Sequence, residues 1–125
     1  MALHENLPIY KATLDLVIYF EKIVKNFSRY HKYTVGTELR NLSREILTLI
    51  IKANQAKDKK EALLKVREKL EELKISIKIC KEIKAFRSFK SFENSIRSVV
   101  TIAKQNEGWL KSQNRGSLGA NLERA

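Results

Sequence analysis

The feature that most constrains this chain is a run of apolar residues at spacings of three and four. Its members are Leu63, Val66, Leu70, Leu73, Ile77 and Cys80. Because an α-helix makes one turn in 3.6 residues, this spacing places the side chains along a single seam. Asp58 precedes the run and can cap a helix, and Glu61 completes a pair resembling a capping box. The pattern therefore predicts a helix over about residues 58–85, with its seam in a protein core.

Three further segments predict helices, over about residues 8–27, 34–54 and 91–112. Pro8 opens the first of them, where its missing N–H costs nothing. The apolar face of the second comprises Val35, Leu39, Leu42, Ile46, Leu49, Ile50 and Ala53, and that of the last comprises Phe92, Ile96, Val99, Val100, Ala103 and Leu110. Four such helices with short connections predict an all-α fold, an antiparallel up-down four-helix bundle. Residues 1–112 form this domain, and 113–125 form a mobile C-terminal tail that contains Gly116 and Gly119.

The first helix predicts self-association, because it is apolar on two neighbouring faces. One face carries Tyr10, Leu14, Val17, Ile18 and Val24, and the other carries Ile9, Leu16, Phe20, Ile23 and Phe27. A surface helix needs one apolar stripe, so the second stripe should contact another subunit or a partner. The third helix has a similar second stripe. We expect the oligomer interface to comprise Leu16, Phe20, Ile23, Phe27, Ile75, Ile79 and Ile83, although each residue alone is equally typical of the core fringe.

The charge predicts a polyanionic partner. Twenty-five Lys and Arg against fourteen Asp and Glu give a net charge of +11, which favours RNA or DNA. A basic stripe on the third helix and beyond it comprises Arg67, Lys74, Lys78, Lys81, Lys84, Arg87 and Lys90, and a second cluster comprises Arg29, Lys32, Arg40 and Arg44. A solvated helical surface is the alternative interpretation. Phe86, Phe89 and Phe92 can stack on bases, but the favoured interpretation is that Phe86 and Phe92 plug the end of the bundle and that Phe89 anchors a loop.

No pattern typical of catalysis is present in the sequence. There is no Gly-rich phosphate loop, metal motif or nucleophile elbow, and Cys80 lies on a core seam. We therefore expect no enzymatic activity, no metal or other cofactor and no small-molecule substrate. No leader or membrane-spanning run is found, so we expect a soluble cytoplasmic protein without a membrane partner.

Four short motifs resemble the Avd-type four-helix-bundle family. They are LPIYK at residues 7–11, RYHKYTVG at 29–36, IKAN at 51–54 and GWLKS at 108–112. This family includes the accessory variability determinants of diversity-generating retroelements and is related to four-helix proteins encoded in intervening sequences of bacterial ribosomal RNA. The resemblance covers residues 7 to about 112.

The resemblance implies a homopentamer, shaped as a basic ring or barrel, that binds a reverse transcriptase and assists mutagenic reverse transcription of a template RNA. Arg29, Lys32, Arg40 and Arg44 match the basic first connection and second helix of the family. The alternative is a structural protein of the ribosomal intervening-sequence type, associated loosely with RNA. A neighbouring transcriptase gene would distinguish the two.

Overall fold

The chain folds into four long helices and two short helical segments. The computed structural model describes residues 3–124, and the side chains of residues 3–114. The elements are a 3-10 turn at His4–Asn6, α1 at Pro8–Val24, α2 at Arg29–Tyr33, α3 at Val35–Gln55, α4 at Lys60–Glu82 and α5 at Phe89–Arg124. No strand occurs within these described residues. The predicted all-helical fold is confirmed, and the long helices form a bundle.

The packing order places α1 and α4 diagonally across the bundle. α3 packs against both α1 and α4, and α5 packs against the same two helices from the other side. The outer faces of α1 and α4 therefore point to opposite sides of the molecule.

The core follows the predicted seam on α4. All six of its residues, from Leu63 to Cys80, are buried. On α5 the apolar pattern misplaced two side chains, since Ile102 is buried and Val100 is exposed. The cause is that the inner face of α5 includes the buried polar residues Ser95 and Asn106. The Asn106 Nδ2 donates to the Leu63 carbonyl oxygen at 3.0 Å, so this polar side chain contacts α4 at a position that an apolar count leaves out.

Glycine at position 36 lets α3 start close to α1. A Cβ atom there would lie 2.6 Å from Cγ1 of Val24 and 3.1 Å from the carbonyl oxygen of His31. Distances of this kind are shorter than van der Waals contact, so a side chain at this position would separate the two helices.

Some helices begin at residues other than the predicted ones, and side chains form hydrogen bonds with the backbone at these ends. The Ser28 hydroxyl accepts from the His31 N–H and caps α2, a short helix that the sequence analysis had treated as a connection. The Asp58 carboxylate accepts a hydrogen bond from the Lys60 N–H at 3.1 Å, as expected of a capping residue. Helix α4 nevertheless starts at Lys60, two residues later than predicted. Glu61 pairs with Lys65 and makes no capping box.

Helix α5 continues past residue 112, where the sequence pattern had placed its end, to Arg124. The side chains of the predicted tail from residue 115 onward lie outside the described residues. The mobility of residues 113–125 stays a prediction.

Candidate nucleic-acid interface

Two turns that are distant in sequence meet at one end of the bundle. The rings of Phe27 and Phe86 pack edge to face with centroids 5.7 Å apart. The Arg87 Nε donates to the carbonyl oxygen of Asn26. These contacts join the turn after α1 to the turn between α4 and α5, and α2 follows directly. We call this part of the molecule, residues 25–33 and 83–92, the basic end.

Most of the net positive charge lies in the segments that approach the basic end. Residues 21–40 and 78–97 carry eleven Lys and Arg against four Glu, so about a third of the chain holds seven of the eleven net charges. A surface with this excess of positive charge attracts polyanions over distances of about a Debye length.

The turn between α4 and α5 is built on a lysine in a left-handed conformation. Lys84 has a φ of 61°, and it is the sole residue other than glycine with a positive φ within residues 3–124. The Ala85 N–H donates to the Cys80 carbonyl at 2.8 Å and the Lys84 N–H to the Lys81 carbonyl at 3.1 Å. This is a Schellman motif, in which glycine usually occupies the left-handed position.

The predicted basic stripe on α4 divides into paired and unpaired cations. Arg67 donates two hydrogen bonds, of 2.7 and 2.8 Å, to the carboxylate of Glu107, and Lys74 pairs with Glu71 at 3.2 Å. These two cations are already neutralised by the protein. The unpaired members, which make no ion pair with any described side chain, are Lys78, Lys81, Lys84, Arg87 and Lys90.

The predicted cluster in and after the first connection divides in the same way. The Arg40 Nε donates to both oxygens of Glu21 at 3.0 Å, and Nη2 of Arg44 donates to one of them at 2.6 Å. The Arg40 hydrogen bond, with help from Arg44, lowers the pKa of Glu21 below its usual value. Arg29 and Lys32 make no ion pair with the described side chains, so they are the free cations of this cluster.

Aromatic rings lie among the unpaired cations. Phe86 and Phe92 pack against the core, as the favoured interpretation of the sequence expected, whereas Phe89 is 63% exposed. The Lys81 ammonium lies 4.9 Å from the centroid of the Phe92 ring, within cation–π range. Tyr30 and Tyr33 on α2 are also largely exposed. The basic end therefore combines free positive charge with exposed aromatic surface, the combination that suits nucleic acid.

A family model described as bAvd-like matches residues 7–113. The chain belongs to the bAvd-like family. The match contains α1, α3 and α4 and the part of α5 that packs in the core, and it includes both turns of the basic end. No curated protein matches the chain in sequence.

The bAvd-like bundle leaves an apolar stripe exposed on α4. Ile75, Ile79 and Ile83 are 58%, 47% and 41% exposed on the face that points away from the core. On α1 the exposed apolar residue is Ile18, beside the half-buried Leu14 and Val17. The stripe on α4 is where the sequence placed it.

The interface residues predicted on α1 require a correction. Leu16, Phe20 and Phe27 are at most 3% exposed and lie in the core of the subunit, and Ile23 is half-buried against that core. α1 is rotated so that this face meets α3 and α5, which leaves the Ile18 face outside. Leu16, Phe20 and Phe27 are therefore core residues and are not available to a second chain.

Cys80, the single cysteine of the chain, is buried. Burial raises the pKa of the Cys80 thiol to about 12, so the thiol is protonated at neutral pH. Among the described residues, no group of three His, Cys, Asp or Glu is arranged to hold a metal ion. No described helix is both long enough and apolar enough to cross a membrane.

Proposed function

We propose that this chain is a non-enzymatic accessory protein of a diversity-generating retroelement. It binds the reverse transcriptase of the element and its template RNA or cDNA through the basic end, and so supports mutagenic reverse transcription. Membership of the bAvd-like family supports the accessory role. The protein contributes positioning and electrostatic attraction in the cytoplasm and makes or breaks no bond.

The observation that carries this proposal is the unpaired charge at the basic end, above all at Lys84. A left-handed residue with a side chain is less favourable than glycine at the same place. The chain nevertheless has an exposed lysine there, between the unpaired Lys81 and Arg87. A strained backbone conformation such as that of Lys84 is typical of functional positions.

The oligomer of this proposal is a homopentameric ring of antiparallel bundles. The contacts that support antiparallel neighbours are Glu38 with Ser76 and Glu45 with Lys69, because residue numbers rise along α3 as they fall along α4. The α4 stripe of one copy packs on the α1 face around Ile18 of the next copy. These faces are two different surfaces of the bundle, so the contact is head-to-tail, and a head-to-tail contact forms a ring when the rotation between neighbouring copies closes. The number five comes from the family resemblance.

A ring of this kind would place five basic ends on one side of the assembly. Each end contributes a few phosphate contacts, which are weak individually and salt-dependent. Contacts from neighbouring subunits to one strand act at a high effective concentration, so their combined affinity is much greater. The ring thereby holds RNA and transcriptase together without a catalytic group of its own.

The nucleic-acid part is tested by removing three cations from the basic end. The variant carries Lys84→Gly, Arg87→Gln and Lys90→Gln, and the control removes three cations elsewhere, with Lys57→Gln, Lys60→Gln and Lys111→Gln. A loss of about fourfold per phosphate contact on a single strand at 0.15 M salt predicts that the first variant binds template RNA about 50-fold more weakly. The control should stay within about threefold, since its charges are remote.

Binding is measured by fluorescence anisotropy, and capture of the reverse transcriptase by co-purification. Equal losses in the two triple variants would contradict the assignment of this surface. RNA binding by a wild-type protein that captures no transcriptase would favour the ribosomal intervening-sequence alternative.

The assembly is tested by light scattering. Wild-type protein should have a salt-independent mass of about five times 14.5 kDa. Ile75→Asp with Ile79→Asp should give monomers, because two charges would be buried in an apolar contact. Val100→Asp, at an apolar position on α5 that is 37% exposed, is the control and should leave the mass unchanged. A monomeric wild-type chain would contradict the ring.

A further inference from the structure

A cleft at the basic end is lined by cations and rings together. It measures about 390 Å³, and Lys81, Lys84, Phe86, Arg87, Phe89 and Phe92 line it. This volume is within the roughly 300–1,000 Å³ of clefts that hold small ligands or parts of larger ones. No carboxylate lines this cleft, so nothing in its wall opposes an anion.

The rings of the cleft form a continuous series from the core to the surface. Phe27 is buried and contacts Phe86, Phe86 lies 6.1 Å from Phe92, and Phe92 lies 5.6 Å from Phe89, measured between centroids. Lys81 occupies one side of Phe92. Phe89 is therefore the ring left open to a ligand, and Phe92 is the ring that it contacts. An exposed ring of this kind is a platform on which a base can stack.

The backbone anchors the Arg87 side chain and fixes the main chain at Lys84. Arg87 is anchored by the hydrogen bond from its Nε to the Asn26 carbonyl, and no described carboxylate pairs with the rest of its guanidinium group. The Schellman motif fixes the backbone at Lys84. A guanidinium and an ammonium group beside a free ring provide sites for a phosphate and a base at the same time.

The geometry selects for unpaired nucleotides. In a duplex each base is stacked between its neighbours and presents its edges alone, so a ring in a cleft cannot reach a base face. In a single strand the base can swing out and stack, and every base has a suitable face. We infer that this cleft binds one unpaired nucleotide of a single strand, with its base on Phe89 and its phosphate on Lys84 and Arg87. The inference rests on the proposed function, which it extends from nucleic acid in general to single strands.

The experiment compares an unstructured oligothymidylate and oligouridylate with a mixed-sequence duplex of the same length. Affinities are measured by fluorescence anisotropy for the intact protein, for Phe89→Leu, which keeps the apolar bulk, and for Phe89→Trp, which restores a ring. Loss of one stacked base predicts that Phe89→Leu reduces the preference for single strand over duplex about tenfold. Phe89→Trp should restore that preference to within about twofold of wild type. Circular dichroism confirms that the variants keep their helicity.

A second readout follows stacking directly. A single strand carrying 2-aminopurine should lose fluorescence when it binds the wild-type protein and the Trp variant, and retain it with Phe89→Leu. Equal affinity changes for single strand and duplex, or no change for either, would overturn the inference while leaving nucleic-acid binding by the basic end intact. A wild-type protein that binds neither form would overturn the proposed function and this inference together.

Discussion

Glu21 restrains two arginines beside the basic end, so neutralising it should strengthen nucleic-acid binding. Its carboxylate accepts from Arg40 at 3.0 Å and from Arg44 at 2.6 Å. Both guanidinium groups are thus held by one negative charge. The substitution Glu21→Gln keeps a hydrogen-bond acceptor of the same length and removes the charge, which releases the two cations to bind phosphates.

The expected gain follows from counterion release. Each new phosphate contact on duplex DNA steepens the slope of log K against log salt by about 0.9, which corresponds to about fivefold in affinity at 0.15 M salt. Two released guanidinium groups can add one or two contacts, so Glu21→Gln should bind about 5- to 25-fold more tightly. The ion pairs are partly exposed, so their loss should cost the fold under about 1 kcal/mol.

The matched control is Glu107→Gln, which makes the same charge change away from the basic end. It releases Arg67, whose partner on α5 lies next to the buried Asn106. Duplex and single-strand affinities are measured by anisotropy at several salt concentrations for both variants. Glu107→Gln should change affinity by less than about twofold. An equal gain in the two variants would show that net charge alone determines binding, and no gain in Glu21→Gln would refute the reasoning.

Three further predictions concern the fold. Gly36→Ala should lower the free energy of unfolding by about 1–3 kcal/mol in urea titrations, since its Cβ would crowd Val24; unchanged stability would contradict that close contact. Cys80 should resist iodoacetamide at pH 8 in native protein and react in urea, because burial raises its pKa to about 12; rapid native labelling would contradict its burial. Arginine hydrogen bonds lower the pKa values of Glu21 and Glu107 from the usual 4.5. Their ion pairs therefore stabilise the fold fully at pH values above 4.5, and this stabilisation is lost as the pH falls through the lowered pKa values. In the double variant Glu21→Gln with Glu107→Gln, the free energy of unfolding should fall less steeply on acidification.

The sequence predicted the core of α4 well because that seam is purely apolar. It predicted α5 less well, since Ser95 and Asn106 continue the inner face as polar residues. Ser95 donates to the Ser91 carbonyl one turn earlier in the same helix, whereas Asn106 donates across the bundle to the Leu63 carbonyl. The sequence pattern of α1 could not show which of its two faces is buried. Both faces are apolar, and the rotation that buries Phe20 is set by packing against α3 and α5.

The binding role of the site residues stays a prediction, and what the structure adds is their arrangement. The sequence identified every cation named at the basic end, but it could not tell free cations from paired ones. The partner of Arg40 lies 19 residues away and that of Arg67 lies 40 residues away, so their ion pairs arise from the fold. The meeting of the two turns through Phe27 and Phe86 is likewise a tertiary contact that no local pattern reports.

The most direct test of the central claim is ultraviolet cross-linking of the protein to single-stranded RNA, with the linked peptides identified by mass spectrometry. We expect the cross-links to concentrate in residues 25–33 and 83–92, with Phe89 prominent among them. Cross-links spread evenly over the surface, or concentrated on the first half of α4 around Arg67, would contradict the basic end as the nucleic-acid interface.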